Sequence, residues 1–290
     1  MSIAIVYSRA SAGIQAPLVT IEVYLALGSR NVSIVGMPET AVKESRFRIH
    51  TAFVNANFEF PYGHVIINMA PADLPKEGSR FDLPLALGIL AASKQISSQK
   101  LLAYEFVGEL ALSGELRPVE GILPIVLNAR EAGRSLIVPR VNAAEAALVK
   151  DVNVLVADHI LEVSGYLQNK NKLAACTSFA APKKKSVLLD LADVKGQLHA
   201  KRALEIAAAG SHNLLFIGPP GTGKTMLASR LTSLLPELSD QHALEVAAIA
   251  SVSSAGFDPS QWQEAPFPMF RVSSQVLYIF FPRRIFFPGM

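Results

Sequence analysis

The chain has 290 residues, half of them hydrophobic, and carries a net charge of +3 with a pI near 8.9. That length accommodates about two domains, and so small a charge does not by itself mark a nucleic-acid partner. Its mean hydropathy of +0.32 invites a search for a membrane span, but apolar runs such as 276–281 fall far short of the ~20 residues a bilayer requires. The opening residues lack the basic and apolar signature of a secretory signal. A single cysteine, Cys176, excludes an intramolecular disulfide and fits a reducing compartment. The expected setting is the cytoplasm, without membrane contact.

Short apolar runs alternate with helical patterns over the first 170 residues. Ile3 to Tyr7, Val19 to Leu27 and Val32 to Val35 read as strands. Pro38 to Asn55 reads as a helix with Val42, Ile49 and Phe53 on one stripe. A strand at His64 to Asn68 and an apolar helix at Leu83 to Ser93 follow. Glu105 to Leu110 and Leu112 to Pro118 are expected to pair across a turn near Ser113-Gly114. Helices are predicted at Pro124 to Ala132, Ala143 to Val149 and Ile160 to Asn169, with strands at Leu136 to Val138 and Val152 to Val156. This is a mixed α/β pattern.

Residues 171–186 are expected to be a linker. The aperiodic stretch Thr177 to Ser186 ends in Lys183, Lys184 and Lys185, which read as a solvated run or as a nucleic-acid contact. A second domain, 187–265, begins with a helical pattern at Val194 to Gly210. It continues with a buried strand at Leu214 to Ile217 and a helix at Met226 to Leu235.

Between that strand and that helix, Gly218-Pro219-Pro220-Gly221-Thr222-Gly223-Lys224-Thr225 fits G-x-x-x-x-G-K-[ST] in full. Small residues let successive amides curl inward onto a phosphate. Gly218, Pro220, Gly221, Thr222 and Gly223 shape that cradle; Lys224 reaches the β- and γ-phosphates, and the Thr225 hydroxyl ligates Mg²⁺. ATP and Mg²⁺ are the expected ligands. Hydrolysis further needs an acid at the end of a second apolar strand. Glu237, Asp240, Glu245, Asp258 and Glu264 follow the loop, and none comes after four apolar residues.

The P-loop, with Asp193-Val194-Lys195-Gly196-Gln197 and Ala200 to Glu205 before it, resembles the magnesium-chelatase-like AAA+ ATPases. Ile34 to Pro38, Ala41 to Arg46, Asn68 to Gly78, Phe81 to Pro84 and Leu112 to Pro118 are similar to the YifB/ComM group of that family. The resemblance implies a Lon-protease-like (ribosomal S5 domain 2-like) α+β N-terminal domain followed by the start of a P-loop AAA+ α/β domain. It further implies hexamers, DNA as partner, natural competence, and ATP-driven branch migration.

A Lon-like fold raises Ser-Lys peptidase activity as a rival. By the same resemblance, the nucleophile position falls at Ser79-Arg80, with Arg80 in the place of the serine, and the lysine position falls at Leu123. Leucine cannot take a proton from a nucleophile, so a scaffold or DNA-contacting role is the stronger expectation. Lys43, Arg46 and Arg48 on the first long helix, with Lys76, Arg80 and Arg117 in loops, are candidate phosphate contacts. The alternative is a solvated face with a local Glu44–Arg48 pair. His50, His64 and His199 lack metal-ligand spacing.

The family likeness is expected to end near residue 265. From Phe267 onward there are six phenylalanines, three arginines and no acid. Residues 266–290 therefore read as an aberrant tail, from an interrupted frame or a genuine short variant. The elements beyond it, a Walker B strand, sensors and an arginine finger, are not visible in the sequence. The run Val276 to Phe281, if exposed, is an aggregation hazard.

Overall fold

The computed structural model describes residues 3–176, 189–253, 256–259, 262–263, 269–271 and 276–279. Lys183 to Lys185, Glu264, Phe267 and most of the tail lie outside the described residues. The chain forms two units: 1–180 together with 248–257, and 181–247 together with 258–290.

The first unit is built on an eight-stranded sheet. Its strands are β1 (Ala4–Arg9), β2 (Leu18–Ala26), β3 (Asn31–Val35), β4 (His64–Ala70), β5 (Tyr104–Phe106), β8 (Ser135–Pro139), β9 (Val154–Ala157) and β10 (Ala174–Ala175). They lie in the order β10-β9-β8-β5-β1-β2-β4-β3. The pairs β1–β2 and β2–β4 are antiparallel, whereas β1–β5, β5–β8 and β8–β9 are parallel. Alternation dictates the buried face. Val6, Ile21 and Met69 stand opposite one another across β1, β2 and β4, and all three are sealed from solvent.

Helix α2 (Asp82–Ala92) is buried along its whole length, as its uniformly apolar sequence requires. It lies so close to the sheet that a Cβ on Gly88 would stand 2.5 Å from Val23 Cγ2. Helix α1 (Thr40–Asn55) buries Val42, Ile49 and Phe53, the stripe expected from its spacing. Helices α3 (Ile122–Glu131), α4 (Ala143–Ala146) and α5 (Ile160–Leu167) complete the unit.

Two local expectations change. The strand expected at Glu105 to Leu110 breaks at Gly108, whose amide donates to the Arg80 carbonyl while its own carbonyl accepts from Leu83. β5 therefore stays in the large sheet, and β6 (Glu109–Leu110) pairs with β7 (Leu116–Arg117) as a separate ribbon. The helix expected at Ala143 to Val149 is a single turn, α4, ending at Ala146.

The second unit contains α6 (Leu198–Gly210), β11 (Leu214–Ile217), α7 (Lys224–Ala228), β12 (Met269–Arg271) and β13 (Val276–Ile279). Helix α6 starts later than its periodicity suggests because Gly196 and Gln197 take left-handed backbone. Leu204, Ala207, Leu227, Leu277 and Ile279 share one core. The apolar run feared as an aggregation hazard supplies β13, which pairs antiparallel with β11; Leu277 and Ile279 are buried there. Helix α8 (Asp240–Ser251) has no counterpart among the elements read from the sequence. It spans the division at residue 248.

Candidate functional site

The P-loop leaves the end of β11 at Ile217 and returns into α7 at Lys224. Gly221 and Gly223 take φ of 82° and 84°, a region costly for any residue with a Cβ. A Cβ on Gly221 would meet nothing within 4 Å, so the loop there opens to solvent. Thr222 Oγ1 donates to the Pro219 carbonyl at 2.9 Å, which fixes the curl of the loop.

Lys224 Nζ donates to the carbonyls of Gly218 at 2.7 Å and Pro219 at 2.8 Å. The ammonium thus folds over the loop, within reach of any phosphate the amides gather. Thr225 is exposed on the first turn of α7, and among the described residues its hydroxyl makes no hydrogen bond. These residues fit a magnesium nucleotide. Helix α7 has five residues, shorter than the Met226 to Leu235 helix expected, and gives way to a 3₁₀ turn at Leu231–Leu234. Leu235, which precedes Pro236, takes extended backbone and closes the 3₁₀ turn.

The strand beside β11 carries no metal-binding acid. β13 runs antiparallel, with Val276 opposite Ile217 at the P-loop end and Ile279 opposite Leu214 at the far end. Among the described residues no group of three His, Cys, Asp or Glu side chains is placed to hold a metal.

The candidate cations of the first unit separate by environment. Lys43 and Arg46 are exposed one turn apart on α1, and Arg46 lies 4.6 Å from the Phe47 ring centroid. Arg48 is instead held by Asp82 through Nε at 2.7 Å and Nη2 at 2.9 Å, and it also reaches the Ala41 carbonyl. Its partner is Asp82, not the nearby Glu44. Burial is the largest influence and holds the Asp82 carboxyl above its ordinary range, although Arg48, Ser45 and the Leu110 amide pull it down. Lys76 is fully buried, with Nζ on the Pro71 carbonyl, so it cannot meet a phosphate. Burial pushes its ammonium down. Arg80 is half-buried, and Arg117 lies 3.5 Å from Glu109.

At the peptidase positions, the Ser79 hydroxyl donates to Glu109, and Leu123 is buried. His64 shares a hydrogen bond with Ser33 at 2.8 Å, and the His50 ring lies 5.0 Å from the Phe60 ring, tilted by 43°. Sequence reasoning missed the Asp82–Arg48–Ser45 cluster. Its one signal was an aspartate opening an apolar helix, a residue that needs a partner once buried.

Residues 21–142 match the family described as subunit ChlI of Mg-chelatase, and residues 190–279 match magnesium chelatase, subunit ChlI. The second match runs past residue 265. The chain is 52% identical over 274 residues to competence protein ComM of Haemophilus influenzae, covering 92% of this chain and 53% of that protein. It is 48% identical over 267 residues to YifB of Escherichia coli K12, with the same coverage. It thus spans about half the length of these curated relatives. Lon protease 2 of Thermus thermophilus is 29% identical over 135 residues, which is 44% of this chain and 16% of that protein. No helix among the described residues is long and apolar enough to cross a membrane. With its Lon-like mixed α/β first unit and its P-loop, the chain belongs to the magnesium-chelatase-like family, in the YifB/ComM group.

Proposed function

We propose that Gly218 to Thr225 binds Mg²⁺-ATP, and that the 290 residues by themselves hold the nucleotide without turning it over. The observation that carries this reading is the loop itself: two left-handed glycines, an open mouth, and a lysine ammonium folded over the curl. Gly221 and Gly223 keep Cβ atoms out of the cradle, Lys224 meets phosphate oxygens, and Thr225 offers its hydroxyl to the magnesium. The nucleotide, once bound, supplies a phosphoanhydride. Turnover needs an acid that helps hold the metal and a group that orients water, and the strand paired with β11 offers Val276 at the P-loop end. A titration with ATP at rising magnesium tests the site: Thr225→Ala should remove the dependence of affinity on magnesium. A dependence that survives the substitution contradicts the assignment.

Kinship supports a reading of the biological setting. The name of the Haemophilus relative places that protein in competence. We assign this chain to the same kind of work, ATP-driven processing of DNA of the branch-migration type, in a hexameric ring. A second reading, a non-catalytic DNA- or partner-binding module, is favoured by Lys43 and Arg46, exposed together on α1. DNA affinity that falls steeply with salt and is unaffected by Lys224→Ala would support it. Affinity that requires nucleotide would support the motor reading.

A further inference from the structure

Helix α3 opens at Gly121 in left-handed backbone, and no side chain of its own caps its first turn. Amides at that position need acceptors from elsewhere. They find them far along the chain. The Gly121 amide donates to the Ser251 carbonyl at 3.0 Å, and the Leu123 amide lies 3.5 Å from the Ser251 hydroxyl. A Cβ on Gly121 would stand 3.3 Å from Val252 Cγ1. Glu145 on α4 faces the same hydroxyl and the same Leu123 amide. Ala248 and Ser251 are buried, and residues 248–257 group with the first unit although they follow the P-loop in the chain.

We propose that the turn Gly121 to Leu123, together with Glu145, is a socket for the segment Ala248 to Val252. The first domain is then a discontinuous fold, completed by residues carried on the far side of the P-loop. The turn is then a joint, to which Leu123 contributes a backbone amide. Cutting the chain between residues 177 and 186 should therefore leave the two pieces associated, because the C-terminal piece brings the plug with it.

The test uses the full chain with a protease recognition sequence inserted between residues 180 and 186. After complete cleavage, the wild-type fragments should elute as one species in size-exclusion chromatography. Ser251→Asp, which puts a second carboxylate beside Glu145, should separate them, and adding Glu145→Gln should restore co-elution. Val252→Asp, at an exposed side chain beside Gly121, should also separate them. In the uncut Ser251→Asp chain, exchange at the Gly121 amide should rise at least about tenfold while amides of β1, β2 and α2 keep their protection. Wild-type fragments that fall apart on cleavage overturn the proposal. So does co-elution that survives both substitutions, or a Gly121 exchange rate that does not change.

Discussion

Arg48→Met distinguishes a structural cation from a phosphate contact. The substitution keeps an unbranched apolar stem but removes the guanidinium that grips both oxygens of Asp82 at 2.7 and 2.9 Å. Asp82 has no exposed side-chain surface and Arg48 is 24% exposed, so the carboxylate would be stranded in the interior. Breaking a buried pair by removing one partner costs about 3–5 kcal/mol. Ser45 and the Leu110 amide still donate to Asp82, which puts the expectation near the lower end, about 3 kcal/mol. In a domain of this size that corresponds to a loss of about 6–12 °C in Tm. Urea unfolding should show a lower midpoint with an unchanged m-value. In DNA titrations at increasing salt, Lys43→Ala and Arg46→Ala should each lower the log–log slope by about one unit, whereas Arg48→Met should leave it unchanged. An Arg48→Met chain with wild-type stability and a reduced salt slope would refute the reasoning and return Arg48 to the DNA interface.

Glu105 is buried between Arg9, at 2.6 Å, and Arg134, at 2.9 Å. Glu105→Gln should cost about 3–5 kcal/mol in urea unfolding, and a loss under about 1 kcal/mol would show that the pairs contribute little. Burial raises the Glu145 carboxyl above its ordinary 4.5. The folded state then keeps a proton that the unfolded state has released, so stability falls as pH rises from 4.5 through the raised value. Glu145→Gln should flatten the profile of urea midpoints between about pH 4 and pH 8, and an unaltered profile contradicts the assignment. Gly223→Val forces a β-branched residue into left-handed backbone at φ 84°. Nucleotide affinity should fall at least about tenfold with the far-UV spectrum preserved; full affinity would mean that the loop need not adopt this shape.

Much of the fold was legible because local chemistry dictates it. Alternating apolar residues gave β1, β2 and β4; the stripe Val42, Ile49, Phe53 gave α1; and the P-loop was legible residue by residue. What stayed hidden depends on contacts distant in sequence. Arg48 and Asp82 are 34 residues apart and Arg9 and Glu105 are 96 apart, spacings that no periodicity encodes. Lys76 looks like a solvated loop cation until Pro71 folds over it. The pairing of β13 with β11 was obscured because a short apolar run reads equally as tail or strand. Helix α8 had a readable start: Ser239, whose hydroxyl accepts from the His242 amide. Its destination at Gly121 had no local signal.

The most direct test of nucleotide binding is equilibrium binding of Mg²⁺-ATP to the wild-type chain and to Lys224→Ala. Lys224 is expected to contribute charge-assisted hydrogen bonds to phosphate oxygens worth about 2–3 kcal/mol, so affinity should fall about 30- to 150-fold. Equal affinity for the two chains would contradict the account, because the nucleotide would then be bound somewhere other than the loop from Gly218 to Thr225.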